Sequence, residues 1–112
     1  MKKIIKKSRV TELDIINAES SESFKSAAGH TIPMLGAAIV TDDKSGEEEL
    51  FSYLFGADGS VYGGNSDTVR GPIEQIIDYM ELHPEVELEA TVTAKPSSSG
   101  REFLTIRFAE VK

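Results

Sequence analysis

The clearest periodicity in the chain lies near its end. Val86, Leu88, Ala90, Val92 and Ala94 alternate with Glu87, Glu89, Thr91, Thr93 and Lys95, the two-residue repeat of a strand with one buried face. A Pro-Ser-Ser-Ser-Gly turn then leads into a strand over 102–111, with Leu104, Ile106 and Phe108 expected inward and Phe103, Thr105 and Arg107 outward. Before this pair, Ile73, Ile76, Ile77 and Met80 recur at i, i+3, i+4 and i+7 and predict a helix over about 68–83. Thr68 is its expected N-cap, Pro72 falls in its first turn, where no N–H is needed, and Pro84 closes it. Upstream, residues 10–18 read as a first strand, with Leu13 and Ile15 alternating against Glu12 and Asp14. The polar run 19–30 reads as a long loop and the apolar run 32–41 as a second strand, ending at Asp42-Asp43-Lys44-Ser45-Gly46. Residues 50–55 make a third strand. Ala57-Asp58-Gly59-Ser60 then turns tightly into a short strand at Val61-Tyr62, because Asp-Gly supplies the positive φ of a hairpin.

The resulting order, β-β-β-α-β-β, predicts a mainly β protein with one helix, a five-stranded OB-type barrel, against a plain α+β sandwich as the rival. In the barrel reading the loops 19–30 and 95–101 flank the ligand groove. No linker or repeat divides the 112 residues, so one domain over 1–112 is expected. The chain has no cysteine, which removes disulfides and thiolate sites and fits a reducing cytoplasm. No apolar run approaches membrane-spanning length, and the basic start lacks the apolar region of a signal peptide. A soluble, unprocessed, cytoplasmic protein is therefore expected.

The formal net charge of -7 argues against wrapping duplex DNA on a broad basic surface. The charge is unevenly placed, however. Lys2, Lys3, Lys6, Lys7 and Arg9 crowd the start, where residues 1–9 read as a flexible basic arm, either solubilising or touching nucleic acid. Asp42, Asp43 and Glu47, Glu48 and Glu49 crowd the middle; their spacing is not that of an EF-hand, and they read as a solvated hairpin. The remaining cations are Lys25, Lys44, Arg70, Lys95, Arg101, Arg107 and Lys112. Lys25 falls in the first loop, Lys95 and Arg101 bracket the last hairpin, and Arg107 shares the outward face of the last strand with Phe103, a clustering that points to a nucleic-acid groove.

Catalytic chemistry finds no footing. The two histidines, His30 and His83, do not form a ligand pair, and HExxH, CxxC, P-loop and GxSxG patterns are all missing. No enzyme activity, cofactor or metal is expected. The glycines around Asp58 and at Gly63-Gly64 follow a β-turn rather than joining a strand to a helix, so they read as turn glycines. On the third strand Phe51, Tyr53 and Phe55 share one face and Leu50, Ser52 and Leu54 the other. With the leucines inward, the aromatics would form an outer platform on which bases stack; with the aromatics inward, they are core.

The run Phe55-Gly56-Ala57-Asp58-Gly59-Ser60-Val61-Tyr62, followed by Thr68-Val69 and the amphipathic helix, resembles the single-stranded-DNA-binding proteins of small Bacillus phages that replicate by protein priming. Ser23-Phe24-Lys25, Gly29, Thr31-Ile32 and Ser98-Ser99-Gly100 before an aromatic strand are similar in order and spacing, and the resemblance spans 14–109. It implies a protein that coats exposed strands during replication, with Tyr62 at the position of a base-stacking tyrosine; the lysine-rich start departs from the pattern. Similar genes occur in prophages and conjugative elements of Gram-positive bacteria. The expected function is sequence-independent single-stranded DNA binding in phage or mobile-element replication, through Lys25, Tyr53, Tyr62, Lys95, Arg101, Phe103 and Arg107. Replication proteins are further candidate partners, and the oligomeric state is open. The competing expectation is an acidic protein-interaction module or a DNA-mimic-type inhibitor of a host nucleic-acid enzyme.

Overall fold

The computed structural model describes residues 2–43, 46–65, 67–96 and 98–111. Its elements are β1 (Lys2–Ser8), α1 (Glu12–Ile16), a 3-10 turn at Asn17–Ser20, β2 (Glu22–Ser23), a second 3-10 turn at Phe24–Ala27, β3 (Thr31–Asp42), β4 (Glu49–Gly56), β5 (Val61–Gly64), α2 (Asp67–Leu82), β6 (Leu88–Pro96) and β7 (Glu102–Glu110). The protein is mainly β with one main helix. Its seven strands, rather than the expected five, form one curled half-barrel sheet of order β2-β5-β4-β3-β6-β7, with β1 also paired to β3.

β3 is the strand that both halves of the sheet share. It pairs antiparallel with β4 over 34–42, with β1 over 37–42 and with β6 over 31–33. Its two faces feed two cores. Ala37 and Ile39 join Leu54, the α2 stripe Val69, Ile73, Ile76, Ile77 and Met80, and Leu88, Ala90, Val92 and Ile106 from the last hairpin. Ala38 and Val40 join Tyr53 and Phe55 beneath Val10, Ile15 and Ala18. At Gly36, beside a bulge, a Cβ would collide with the Ser8 carbonyl oxygen and lie 2.8 Å from Val10 Cγ1, so the chain leaving β1 crosses where no side chain fits.

The first thirty residues depart most from expectation. Residues 10–18 are not a strand. The Asp14 N–H donates to Thr11 Oγ1 at 3.2 Å and the Thr11 N–H to the Asp14 carboxylate at 2.9 Å, a capping box that starts α1 and outweighs the short alternation. The basic start is not a flexible arm but β1. Lys6 pairs with Asp78 on α2 at 2.9 Å. Arg9, with φ 65, donates to the carbonyls of His83 at 2.7 Å and Val86 at 2.6 Å just past the end of α2, where a cation meets the negative end of the helix. The run 19–30 is more than a loop. Glu22 pairs in parallel with Tyr62 of β5, Ala28 bridges to Val92 of β6, and Phe24 and Ala27 plug the main core between them.

Downstream the corrections are small. The helix begins at Asp67, so Pro72 stands in its second turn, and Thr68, instead of capping, donates its hydroxyl to the Leu104 carbonyl at 2.6 Å. The Asp-Gly hairpin forms as expected, with Gly59 at φ 92 and the Gly56 N–H donating to the Ser60 carbonyl at 2.8 Å. Lys44, Ser45, Ser97 and Lys112 lie outside the described residues.

Candidate nucleic-acid interface

The register of the last hairpin decides which side chains meet. Glu89 faces Ala109, Thr91 faces Arg107, Thr93 faces Thr105 and Lys95 faces Phe103. These pairs alternate with the buried Ala90, Val92 and Ile106, so they share the outer face. Thr31 of β3 extends the row: it pairs with Thr91, and the two hydroxyl oxygens are 3.0 Å apart. The outer face is thus a strip of threonine hydroxyls with Arg107 toward one end and Lys95 with Phe103 at the other. Successive pairs repeat every ~6.8 Å along the strands.

Lys25 comes to the Phe103 end from the other side of the sheet opening. Ser23 accepts the Lys25 N–H at 3.0 Å and caps the 3-10 turn, whose Phe24 and Ala27 point into the core while Lys25 stays exposed. Lys25, Thr68, Glu102, Phe103 and Leu104 line an open groove of about 350 Å³. Phe103 is 37% exposed, and among the described residues no other aromatic is as open. Arg101 adjoins this groove through Glu102. Arg107 stands two pairs further along β7 and also lines a second groove, of about 420 Å³, with Pro72, Gln75, Tyr79 and Phe108.

The cations divide into two groups. Lys6 is paired with Asp78, Arg70 with Asp67 at 2.8 Å, and Arg9 is spent on backbone carbonyls. Lys25, Lys95, Arg101 and Arg107 make no ion pair among the described residues, and neither do Lys3 and Lys7 on β1, away from the last hairpin, where Lys7 donates to the Val10 carbonyl at 3.2 Å. Two hydrogen-bonded groups have shifted titration, one at the Asp58 turn and one in the second groove beside Arg107. The Ser60 hydroxyl and N–H, donating to Asp58 at 2.5 and 3.0 Å, hold that carboxyl below its usual range. The bond from the Tyr79 hydroxyl to Glu110, 2.8 Å, raises the Tyr79 phenol above its ordinary value. Among the described residues no three His, Cys, Asp or Glu side chains are placed to hold a metal ion, and no helix is long and apolar enough to cross a membrane.

The two tyrosines fall elsewhere. Tyr62, half-buried on β5, sits opposite Leu54 and packs on the main core, outside the lining of the Phe103 groove. Tyr53 is 6% exposed. Leu54 does turn inward, yet no open platform results, because α1 and the turn after it cover the aromatic face. Without α1 as a helix, the sequence left open which face of β4 is covered. The threonine strip was missed as well. Thr91 and Thr93 are visible as polar alternates, but only the pairing with β7 and β3 lines them up with Thr105 and Thr31.

A family model described as phage single-stranded DNA-binding protein matches residues 4–109, nearly the whole chain. No curated protein and no solved structure matches.

Proposed function

Because the chain belongs to the phage single-stranded DNA-binding protein family, we propose that it binds single strands without regard to sequence, during replication of phage or mobile-element DNA, through the outer face of β6 and β7 and the Phe103 groove. The observation that carries this reading is that Lys25, Lys95 and Arg101 stand beside Phe103, the most exposed aromatic ring among the described residues, with Arg107 two pairs along the same face, and that none of the four makes an ion pair among those residues. A base stacked on Phe103 gains about 1–3 kcal/mol whatever its identity. Lysine and arginine hold phosphates on either side, and the threonine hydroxyls between them serve sugar and phosphate oxygens. None of these contacts reads a base edge, which is why the binding is indifferent to sequence.

The arrangement of β3, β4, β5, α2, β6 and β7 supports an OB-type reading of the fold, with β1, α1 and β2 as an addition ahead of it. The three strands, helix and two strands follow in that order, and the first strand is shared by both halves of the sheet. In this reading the segment 19–30 becomes a strap across the opening. The protein acts by binding alone, in the cytoplasm.

Titration of a labelled poly-dT oligonucleotide at several salt concentrations tests the function. Four phosphate contacts to a single strand give a slope of about -3 in log K against log salt. No binding at low salt would overturn the reading and favour the acidic interaction module.

A further inference from the structure

The outer face of β4 holds three aromatics that the start of the chain hides. Phe51, Tyr53 and Phe55 follow one another at two-residue steps on this face, and the Tyr53 and Phe55 ring centroids are 6.3 Å apart with planes tilted by 42°. Tyr53 is positioned by β5 beneath it as well as by the cover above. A Cβ on Gly63 would lie 2.8 Å from Tyr53 Cε1, so the ring rests across a strand that carries no side chain there. The cover is slight. α1 has five residues, buries only Ile15 and turns Leu13 and Ile16 outward at 68% and 60% exposure. A helix of that length has no stability of its own; it is held by its capping box and by the contacts of Val10, Ile15 and Ala18. Its margin along β5 opens into a groove of about 290 Å³ lined by Asn17, Ser21, Glu22, Gly59, Ser60 and Val61.

We propose that the outer face of β4 is a second site for nucleobases, closed in the free protein by residues 10–20 and uncovered when that segment lifts. The proposal rests on the single-strand-binding reading and extends it from the Phe103 groove to Tyr53 and Phe55. Bases stacking on these two rings replace the apolar contacts of Ile15 and Ala18, so single strands bind the open form in preference to the closed one. The observed affinity is then reduced by the fraction of molecules that are open. Anything that weakens the cover without touching the rings must tighten binding, the opposite of what damage to a fixed core would do.

Two measurements decide the matter. In the free protein, amide hydrogen exchange over 12–20 is expected to run at least about 100-fold faster than over 37–41 and 52–55; equal protection would make the segment a fixed part of the core and overturn the proposal. Thr11→Ala combined with Asp14→Ala removes the capping box and leaves the packing residues in place. This variant is expected to bind a labelled dT oligonucleotide about fivefold more tightly than the parent, and adding Tyr53→Leu should abolish the gain. Binding by both proteins with no gain, or with a loss, overturns the covered site and leaves the Phe103 groove standing. No binding by either protein at low salt overturns both.

Discussion

Replacing Phe103 with alanine is expected to weaken oligonucleotide binding by about 1–3 kcal/mol, roughly 5- to 150-fold, with the unfolding midpoint almost unchanged. The ring is 37% exposed and stands on the outer face opposite Lys95, so its loss leaves no cavity, and Phe103→Tyr should restore affinity. Phe24→Ala is the contrast. That ring is 2% exposed and fills the main core, so its removal is expected to cost about 3–5 kcal/mol in urea unfolding. The difference between these two phenylalanines was legible in part. Strict alternation along 102–111 put Phe103 outside as soon as the strand was recognised, and Arg107 with it. The side chain of Phe24 carried no such signal, because its partners, among them Gly64 of β5, whose missing Cβ would lie 3.2 Å from the ring, come from distant parts of the chain. Tyr53 was undecidable for another reason: both faces of β4 are apolar, and which one is covered depends on α1.

At the scale of elements, the beginning of the chain is held by the end of α2. Arg9 reaches the carbonyls of His83 and Val86 from a residue with φ 65. Arg9→Ala keeps the left-handed backbone and removes the guanidinium, and is expected to destabilise the protein by about 1–2 kcal/mol in urea unfolding. Arg9→Gly removes the same hydrogen bonds but relieves a conformation that costs L residues about 1–2 kcal/mol, so it should be the milder change. A second tie fixes α2 to β7, the bond from Tyr79 to Glu110. Because that bond raises the phenol's folded pKa, its contribution is complete below the unfolded value near 10 and lost as pH rises through the raised folded value. Thermal unfolding followed across that window should fall more steeply in the parent than in Tyr79→Phe. The elements themselves were read well where the pattern is local, in α2, β6, β7 and the Asp58-Gly59 hairpin. They were misread where a partner decides. Ile4 and Ile5 between lysine pairs look like a basic arm until β3 offers an edge, and the Thr11-to-Asp14 capping box was present in the sequence but lost against a short alternation.

For the whole molecule, a net charge of -7 and a ligand of the same sign have to be reconciled. Four cations without ion pairs line one strip, on which Arg107 and Lys95 stand two residue-pair steps or ~14 Å apart by the strand repeat, while the remaining surface, the lysines of β1 apart, is mainly acidic. One molecule on a short strand therefore meets mainly the strip, but neighbours on a long strand meet one another's negative surfaces. The molecule measures 41 × 34 × 22 Å, so neighbours abutting across the short axis have centres within the ~30 Å screening length at about 0.01 M salt and well beyond the ~8 Å length at about 0.15 M. Salt then acts in opposite directions on two observables. Raising it across that range should lower the affinity for a dT oligonucleotide long enough for one molecule, yet raise the number of molecules bound per long poly-dT strand at saturating protein. Sedimentation of saturated poly-dT complexes at the two salt concentrations reads the second quantity directly. A saturation density that falls in step with the single-site affinity would mean that neighbours do not repel, and that the acidic surface is turned away from the next molecule along the strand.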